Sequence, residues 1–300
     1  APTLKVRKVN SGTEAIEGSI KLAKRATGRS QIIAARKAYH GNTQGSLSIM
    51  DYELRKQPFR PLLPDVAWIE FNNEAELQKI TTRTAGVVLE TIQGGAGFIT
   101  PENDYLAKVK QRCQEVGALL ILDEIQPGFG RTGKLFGFQN YNVVPDIIAI
   151  GKGMASGLPC GAFVASYELM HLLADKPKMS HITTFGGNPV VAAASLATLN
   201  ELLTTSLMQE TLEKEQLFRK LLKHPKIKSV NGKGLMLAAI MESEDLANHI
   251  ILYAHQRGYI FFWLLFELRA VRISPPLTIS TEEIEKACAI ILEAIDCYKP

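Results

Sequence analysis

The stretch A-L-L-I-L-D-E-I-Q, residues 118–126, decides how this sequence is read as a fold. Ala118 to Leu122 form a short, uninterrupted apolar run that stops at Asp123, the pattern of a strand covered on both faces. The stretch D-I-I-A-I-G-K-G, residues 146–153, repeats it, with Lys152 held between two glycines just past the run. Similar runs recur at Gln31–Ala35, Val66–Glu70, Ala85–Glu90 and Cys160–Ala165, rich in Ile, Val, Leu and Ala and bounded by turn residues. Helix patterns lie between them at Thr13–Thr27, Glu74–Thr82 and Asn103–Val116, the last with Pro101 ahead of it and Gly117 behind. Strands alternating with helices predict an α/β fold, a mostly parallel central sheet flanked by helices.

From Asn188 the texture changes. Helix patterns at Asn188–Leu203 and Gln209–Lys223 lead to strand-like Lys226–Val230 and Gly234–Met241, a helix near Leu246–Gln256, a strand at Ala270–Ile273 and a final helix, Thr281–Asp296. The expected organisation is a large domain over residues 1–187. Residues 188–300 would then supply a linking helix and a smaller C-terminal α+β domain.

Composition narrows the function classes. The chain has 300 residues, 46% hydrophobic and 21% charged, ordinary for a globular enzyme with a substantial core. Its 34 Lys and Arg against 30 Asp and Glu are dispersed, with no basic block, so no nucleic-acid footprint is expected. Cys113, Cys160, Cys288 and Cys297 form no CxxC pair, which argues for reduced thiols in a cytoplasmic protein rather than a zinc site or disulfide framework. The richest apolar stretch, Tyr259–Phe266, is far too short for a membrane span, and the first residues have no signal-peptide pattern. No nucleic acid, membrane or metal partner is expected.

Ligands of open parallel sheets bind beyond the carboxyl ends of the strands. Glu90, Asp123 and Lys152 all fall at such ends. A lone G-K-G is a solvated loop lysine more often than not, and a lone strand-end aspartate is equally well a turn residue. Together they suit a pyridine cofactor, whose ring nitrogen needs a carboxylate to stay protonated and act as an electron sink. Ser11-Gly12-Thr13-Glu14 opens a helix whose N–H groups could seat a phosphate, though the same residues read as a capping box. Thr183-Thr184-Phe185-Gly186-Gly187-Asn188 offers a second hydroxyl-bearing turn ahead of a helix.

These segments resemble the class III (ω-amino acid) aminotransferases of pyridoxal-phosphate (PLP) fold type I, nearest in look to acetylornithine/ornithine aminotransferase. The carriers are N-S-G-T-E-A at 10–15, Y-H-G at 39–41, Q-G-G-A-G at 93–97, L-D-E-I-Q-P-G-F-G-R-T-G at 122–133, G-K-G at 151–153, T-T-F-G-G-N-P at 183–189 and R-I-S-P-P-L-T at 272–278. The resemblance implies that Lys152 forms an aldimine with PLP and then moves the proton between substrate and cofactor carbons. Asp123 would pair with the ring nitrogen, Gln126 with the phenolic oxygen, and Tyr39 would stack on the ring. Gly12 and Thr13 would hold the phosphate, with Thr184 reaching it from the partner subunit of a homodimer with shared sites. Glu90 would orient its neighbours, His40 would support the cofactor loop, and Arg272 would clamp the α-carboxylate of glutamate or 2-oxoglutarate. The implied reaction moves an amino group from an acetylornithine- or ornithine-type ω-amino acid to 2-oxoglutarate, through pyridoxamine phosphate.

Two departures stand out. The ornithine-type enzymes usually carry glutamate at the position of Gly95, where it masks the substrate-clamping arginine, and glycine cannot do so. The family also continues upstream with elements of the small domain, so the resemblance implies a chain that starts inside the family's length. The rival readings are a 4-aminobutyrate or other ω-amine aminotransferase, an aminomutase, racemase or decarboxylase of the same fold type, and a catalytically idle homologue. A nucleotide-binding enzyme is set aside, because no GxxxxGK[ST] occurs.

Overall fold

The computed structural model describes residues 3–175 and 177–299. Its larger sheet contains β1 (Leu4–Val9), β2 (Gln31–Ala35), β3 (Val66–Ile69), β4 (Thr84–Glu90), β5 (Leu119–Asp123), β6 (Ile147–Gly151) and β7 (Gly161–Ser166), in the order β1-β7-β6-β5-β4-β2-β3. Strands β3, β2, β4, β5 and β6 are mutually parallel, and β7 runs antiparallel to both β6 and β1. The direction of β7 follows from its connection. Only a single 3₁₀ turn and a short loop separate it from β6, too little for the crossover of a dozen or more residues that a parallel pair needs.

Helices cover both faces: α1 (Gly12–Thr27) and α5 (Tyr167–His171) on one, α4 (Tyr105–Val116) on the other. The strands alternate accordingly. Val88 and Ile121 pack with Ile16 and Ile20 of α1, while Val87, Leu89, Leu120 and Leu122 pack with Leu106, Val109 and Cys113 of α4. Two short helices, α2 (Gln44–Ser48) and α3 (Glu53–Lys56), follow β2.

Beyond the sheet come α6 (Pro189–Thr204) and α7 (Leu207–Leu221), then β8 (Ile227–Lys233), β9 (Met236–Met241), α8 (Glu244–His255), β10 (Ala270–Ile273) and α9 (Thr281–Cys297). The three strands form an antiparallel sheet in the order β10-β9-β8. One face of β9 (Leu237, Ala239, Met241) packs into a core with α8 and α9. The other (Met236, Ala238, Ile240) packs onto Ile92 and Phe98 from the loop after β4. The small sheet is therefore seated directly against the end of the large one.

Some expected elements differ. The segment expected to be helical at Glu74–Thr82 is a 3₁₀ turn at Glu74–Lys79, because β-branched Ile80, Thr81 and Thr82 follow and the Thr81 N–H donates to Thr84 Oγ1 at 3.1 Å. Helix α4 starts at Tyr105 rather than Asn103, since Asn103 and Asp104 both adopt positive φ. Strand β1, not expected, is an edge strand whose L-K-V-R-K-V alternation gains structure by pairing with β7. The capping box is half present. Ser11 Oγ accepts the Glu14 N–H at 3.3 Å, but Glu14 reaches back to the N–H of Asn10 at 2.6 Å. No single helix among the described residues is long and apolar enough to cross a membrane.

Candidate active site

Strand register builds the site. Glu90 and Asp123 are paired neighbours at the carboxyl ends of β4 and β5, and Asp123 pairs with Ala149 of β6, three residues before Lys152. All three side chains line one cavity of about 1000 Å³, which α1, the Tyr39–Thr43 loop, α3, the Phe262–Leu268 segment and β10 complete. Lys152 adopts a left-handed φ of 44°, an uncommon conformation for a residue with a Cβ.

Asp123 is buried, with its two oxygens fixed separately: Oδ2 lies 2.8 Å from His40 Nδ1, and Oδ1 accepts the Ile125 N–H at 2.9 Å. Burial opposes charging of His40, but its hydrogen bond to Asp123 and the charges of Asp123 and Glu90 outweigh that and raise its pKa. Glu90 accepts the N–H groups of Tyr39 at 3.2 Å and Gly94 at 3.0 Å, and burial pushes its carboxyl up to about 7. The Lys152 side chain opens into the cavity, yet the surrounding walls desolvate it and lower its ammonium pKa. Asp123 and Glu90 oppose that shift, and the Arg272 charge adds to it.

The N-terminus of α1 reaches the cavity because glycine lets backbones touch: a Cβ on Gly161 of β7 would lie 2.2 Å from the Ser11 carbonyl oxygen. Gly12 and Thr13 both line the cavity. Thr13 Oγ1 sits 2.8 Å from Thr43 Oγ1 and 2.7 Å from Ser46 Oγ, a hydroxyl cluster tied down by Glu17, which accepts from Thr43 Oγ1 at 2.5 Å and the Gly45 N–H at 2.8 Å. Gln126 and Tyr39 line the same cavity, and Tyr39 accepts a hydrogen bond from Asn42 at 3.0 Å. Arg272 enters from β10. Thr184 is exposed and lies outside the cavity of its own chain.

Gly95 has a structural reason to lack a side chain. Its carbonyl accepts the Phe266 N–H at 2.9 Å, and a Cβ there would press on Phe266 at 3.1 Å and Leu265 at 3.3 Å. Sequence reasoning missed Asn42, Thr43, Tyr52, Arg55, Trp263 and Leu265 in the cavity wall. Only the first two had a signal, adjacency to Y-H-G. The cavity's fit to PLP is tested by its own chemistry: a buried carboxylate facing the lysine, backbone and hydroxyl donors at a helix start, and His40 Nε2 buried without a partner. Among the described residues no cluster of His, Cys, Asp or Glu could hold a metal ion.

A parallel-sheet fold that brings a desolvated lysine and a buried aspartate to adjacent strand ends defines the class of fold-type-I PLP proteins. The comparisons narrow it. Residues 1–295 match the class-III aminotransferase family, and the chain belongs to that family, whose members are PLP-dependent transferases. It is 39% identical to a putrescine aminotransferase of Pectobacterium atrosepticum over 308 aligned positions, covering 97% of this chain and 65% of that protein. The chain thus spans about two thirds of the length of the curated relative it matches. Among solved structures it is similar to the ornithine aminotransferase of Toxoplasma gondii ME49, with TM-score 0.90 and 28% identity over 97% of this chain and 72% of that one. A second structure of the T. gondii enzyme, with TM-score 0.88, 28% identity and the same coverage, is described as carrying PLP at partial occupancy in its active site.

Proposed function

We propose that this chain carries an amino-transfer site that moves an amino group from the terminal amine of a short aliphatic donor to 2-oxoglutarate. The observation that carries it is the convergence of Lys152, Asp123 and Arg272 on one cavity. When bound, PLP supplies an electron sink for a substrate carbon that has lost its proton. Asp123, held by His40 and Ile125, would present its carboxylate to the ring nitrogen, and Gln126 would hydrogen-bond the phenolic oxygen. Tyr39 would cover the ring, and Gly12 and Thr13 would hold the phosphate with backbone and hydroxyl donors. Glu90 and His40 position these groups without touching substrate. Lys152 would hold the cofactor through its amine; once the donor amine has displaced it, the freed Nζ would take the proton from the amine-bearing carbon of the donor. Its lowered pKa suits a base at neutral pH. Arg272 pairs its guanidinium fork with the α-carboxylate of the acceptor.

A diamine donor of the putrescine kind is supported by the 39% identical relative. An ornithine-type donor is the second reading, supported by the close likeness of shape to an ornithine aminotransferase. A homodimer belongs to the proposal. Val190, Leu196 and Leu203 leave an apolar surface on α6, and Thr184, exposed just before that helix, would complete the phosphate seat of the partner. The four free thiols suit a reducing cytoplasm.

The test is the visible spectrum of the PLP-loaded protein during addition of single amines. One donor is expected to bleach a Lys152-dependent band, and 2-oxoglutarate to restore it. Lys152→Ala is expected to lose the band, and Asp123→Asn to cut turnover by on the order of a hundredfold. A band that no amine bleaches would remove transamination; absence of any Lys152-dependent band would remove the anchor assignment.

A further inference from the structure

We propose that Arg55 is a second carboxylate clamp, which together with Arg272 makes the acceptor subsite selective for dicarboxylic 2-oxo acids. The inference rests on the amino-transfer reading above and adds a specificity residue to it. Both arginines line the same cavity, Arg272 from β10 and Arg55 from α3. Each leans on an aromatic ring: Arg272 Cζ lies 5.9 Å from the Phe98 centroid, and Arg55 Cζ 5.7 Å from that of Tyr52. A guanidinium resting against a ring uses its face and leaves its in-plane N–H fork available. Arg272 spends only Nε, on Ser274 Oγ at 3.3 Å. Among the described residues neither arginine pairs with a carboxylate.

The surroundings make that lack of partners informative. In the same segment Arg60 grips both oxygens of Glu53, and Arg36 pairs with Glu70 and Asp51, so acids are within reach of this part of the chain. The acids of the cavity wall are engaged elsewhere, Asp123 by His40 and Ile125 and Glu90 by backbone N–H groups. Tyr52 is itself fixed edge-on against Phe266 at 5.6 Å, which ties the platform under Arg55 to the Phe262–Leu268 wall. A solvated helix-end arginine would also lack a partner; what favours the clamp is that Arg55 lines the same cavity as Arg272. A dicarboxylate gives each fork one carboxylate: the α-carboxylate goes to Arg272 and the distal one to Arg55. Arg55 is exposed, so solvent screening holds its contribution to about tenfold in affinity.

The first arm of the test needs no chemistry. Calorimetric titration of the PLP-loaded protein compares glutarate with butyrate, which lacks the second carboxylate. Wild type is expected to bind glutarate more tightly. Arg55→Gln is expected to weaken glutarate about tenfold and leave butyrate unchanged, with Arg55→Lys, which keeps the charge but loses the fork, between them. In the second arm, kcat/KM of Arg55→Gln is expected to fall about tenfold for 2-oxoglutarate and to hold for pyruvate. Equal glutarate and butyrate affinities in wild type, or an Arg55→Gln variant whose selectivity is unchanged, would overturn the clamp. Failure of wild type to aminate any 2-oxo acid would instead overturn the amino-transfer reading, leaving the glutarate titration to judge Arg55 by itself.

Discussion

Glu90 shows how one buried side chain can be read both chemically and thermodynamically. Its carboxyl is pushed from an ordinary value near 4.5 up to about 7, by burial first, with His40 opposing and Asp123 reinforcing. As pH rises from about 4.5 to about 7, the unfolded chain releases this proton while the folded chain keeps it. The folded state then binds more protons, so rising pH lowers stability through this group. The shift corresponds to at most about 3 kcal/mol. Denaturant unfolding across that range is expected to show wild type losing stability relative to Glu90→Gln. Glu124, also pushed up to about 7 by burial, is common to both proteins and cancels. Parallel stability curves would mean that Glu90 titrates as an ordinary carboxylate.

At the scale of elements, the seating of α1 against the sheet depends on what its glycine lacks. Gly18 lies inside the helix, where alanine ordinarily stabilises by about 1 kcal/mol. Here an added Cβ would lie 2.3 Å from the ring of Phe163, a fully buried residue of β7. Overpacking wins over propensity, and Gly18→Ala is expected to destabilise by about 2 kcal/mol. The double variant Gly18→Ala/Phe163→Leu is expected to recover part of that loss, a coupling readable by a double-mutant cycle. A stabilised single variant would show that α1 can slide on the sheet. Such sliding would matter, because α1 carries Gly12 and Thr13 to the cavity.

At the scale of the whole molecule, Arg131 joins the two sheets. Its Nη1 donates to the carbonyls of Leu235, at 3.2 Å, and Pro275, while its own carbonyl accepts the Leu235 N–H at 2.9 Å. Burial, with the Arg272 charge adding to it, lowers its pKa to about 10, so it remains a cation at neutral pH. Arg131→Met strands both carbonyls, and a loss of about 2–4 kcal/mol is expected, with unfolding followed by circular dichroism and, in a Trp68→Phe background, by Trp263 fluorescence no longer coinciding. Much of the architecture was legible beforehand, because it depends on local pattern: continuous apolar runs gave the parallel strands, and the residues just past them gave Glu90, Asp123 and Lys152. Local pattern also carried the amphipathic helices and the three strands of the small sheet, though not their antiparallel pairing. It did not carry β1, whose strand exists through pairing with β7, nor the turn at Glu74–Lys79, where a following β-branched run stops the helix. Thus the sequence by itself determined the order of the main elements, the placing of Glu90, Asp123 and Lys152 at neighbouring strand ends, and the family. Only the tertiary structure decided the rest of the cavity: Tyr52 and Arg55 reach it because α3 folds over the strand ends, and Gly95 is bare because Phe266 packs there. Those contacts join residues far apart in the chain, so their geometry exists only after both sheets have packed.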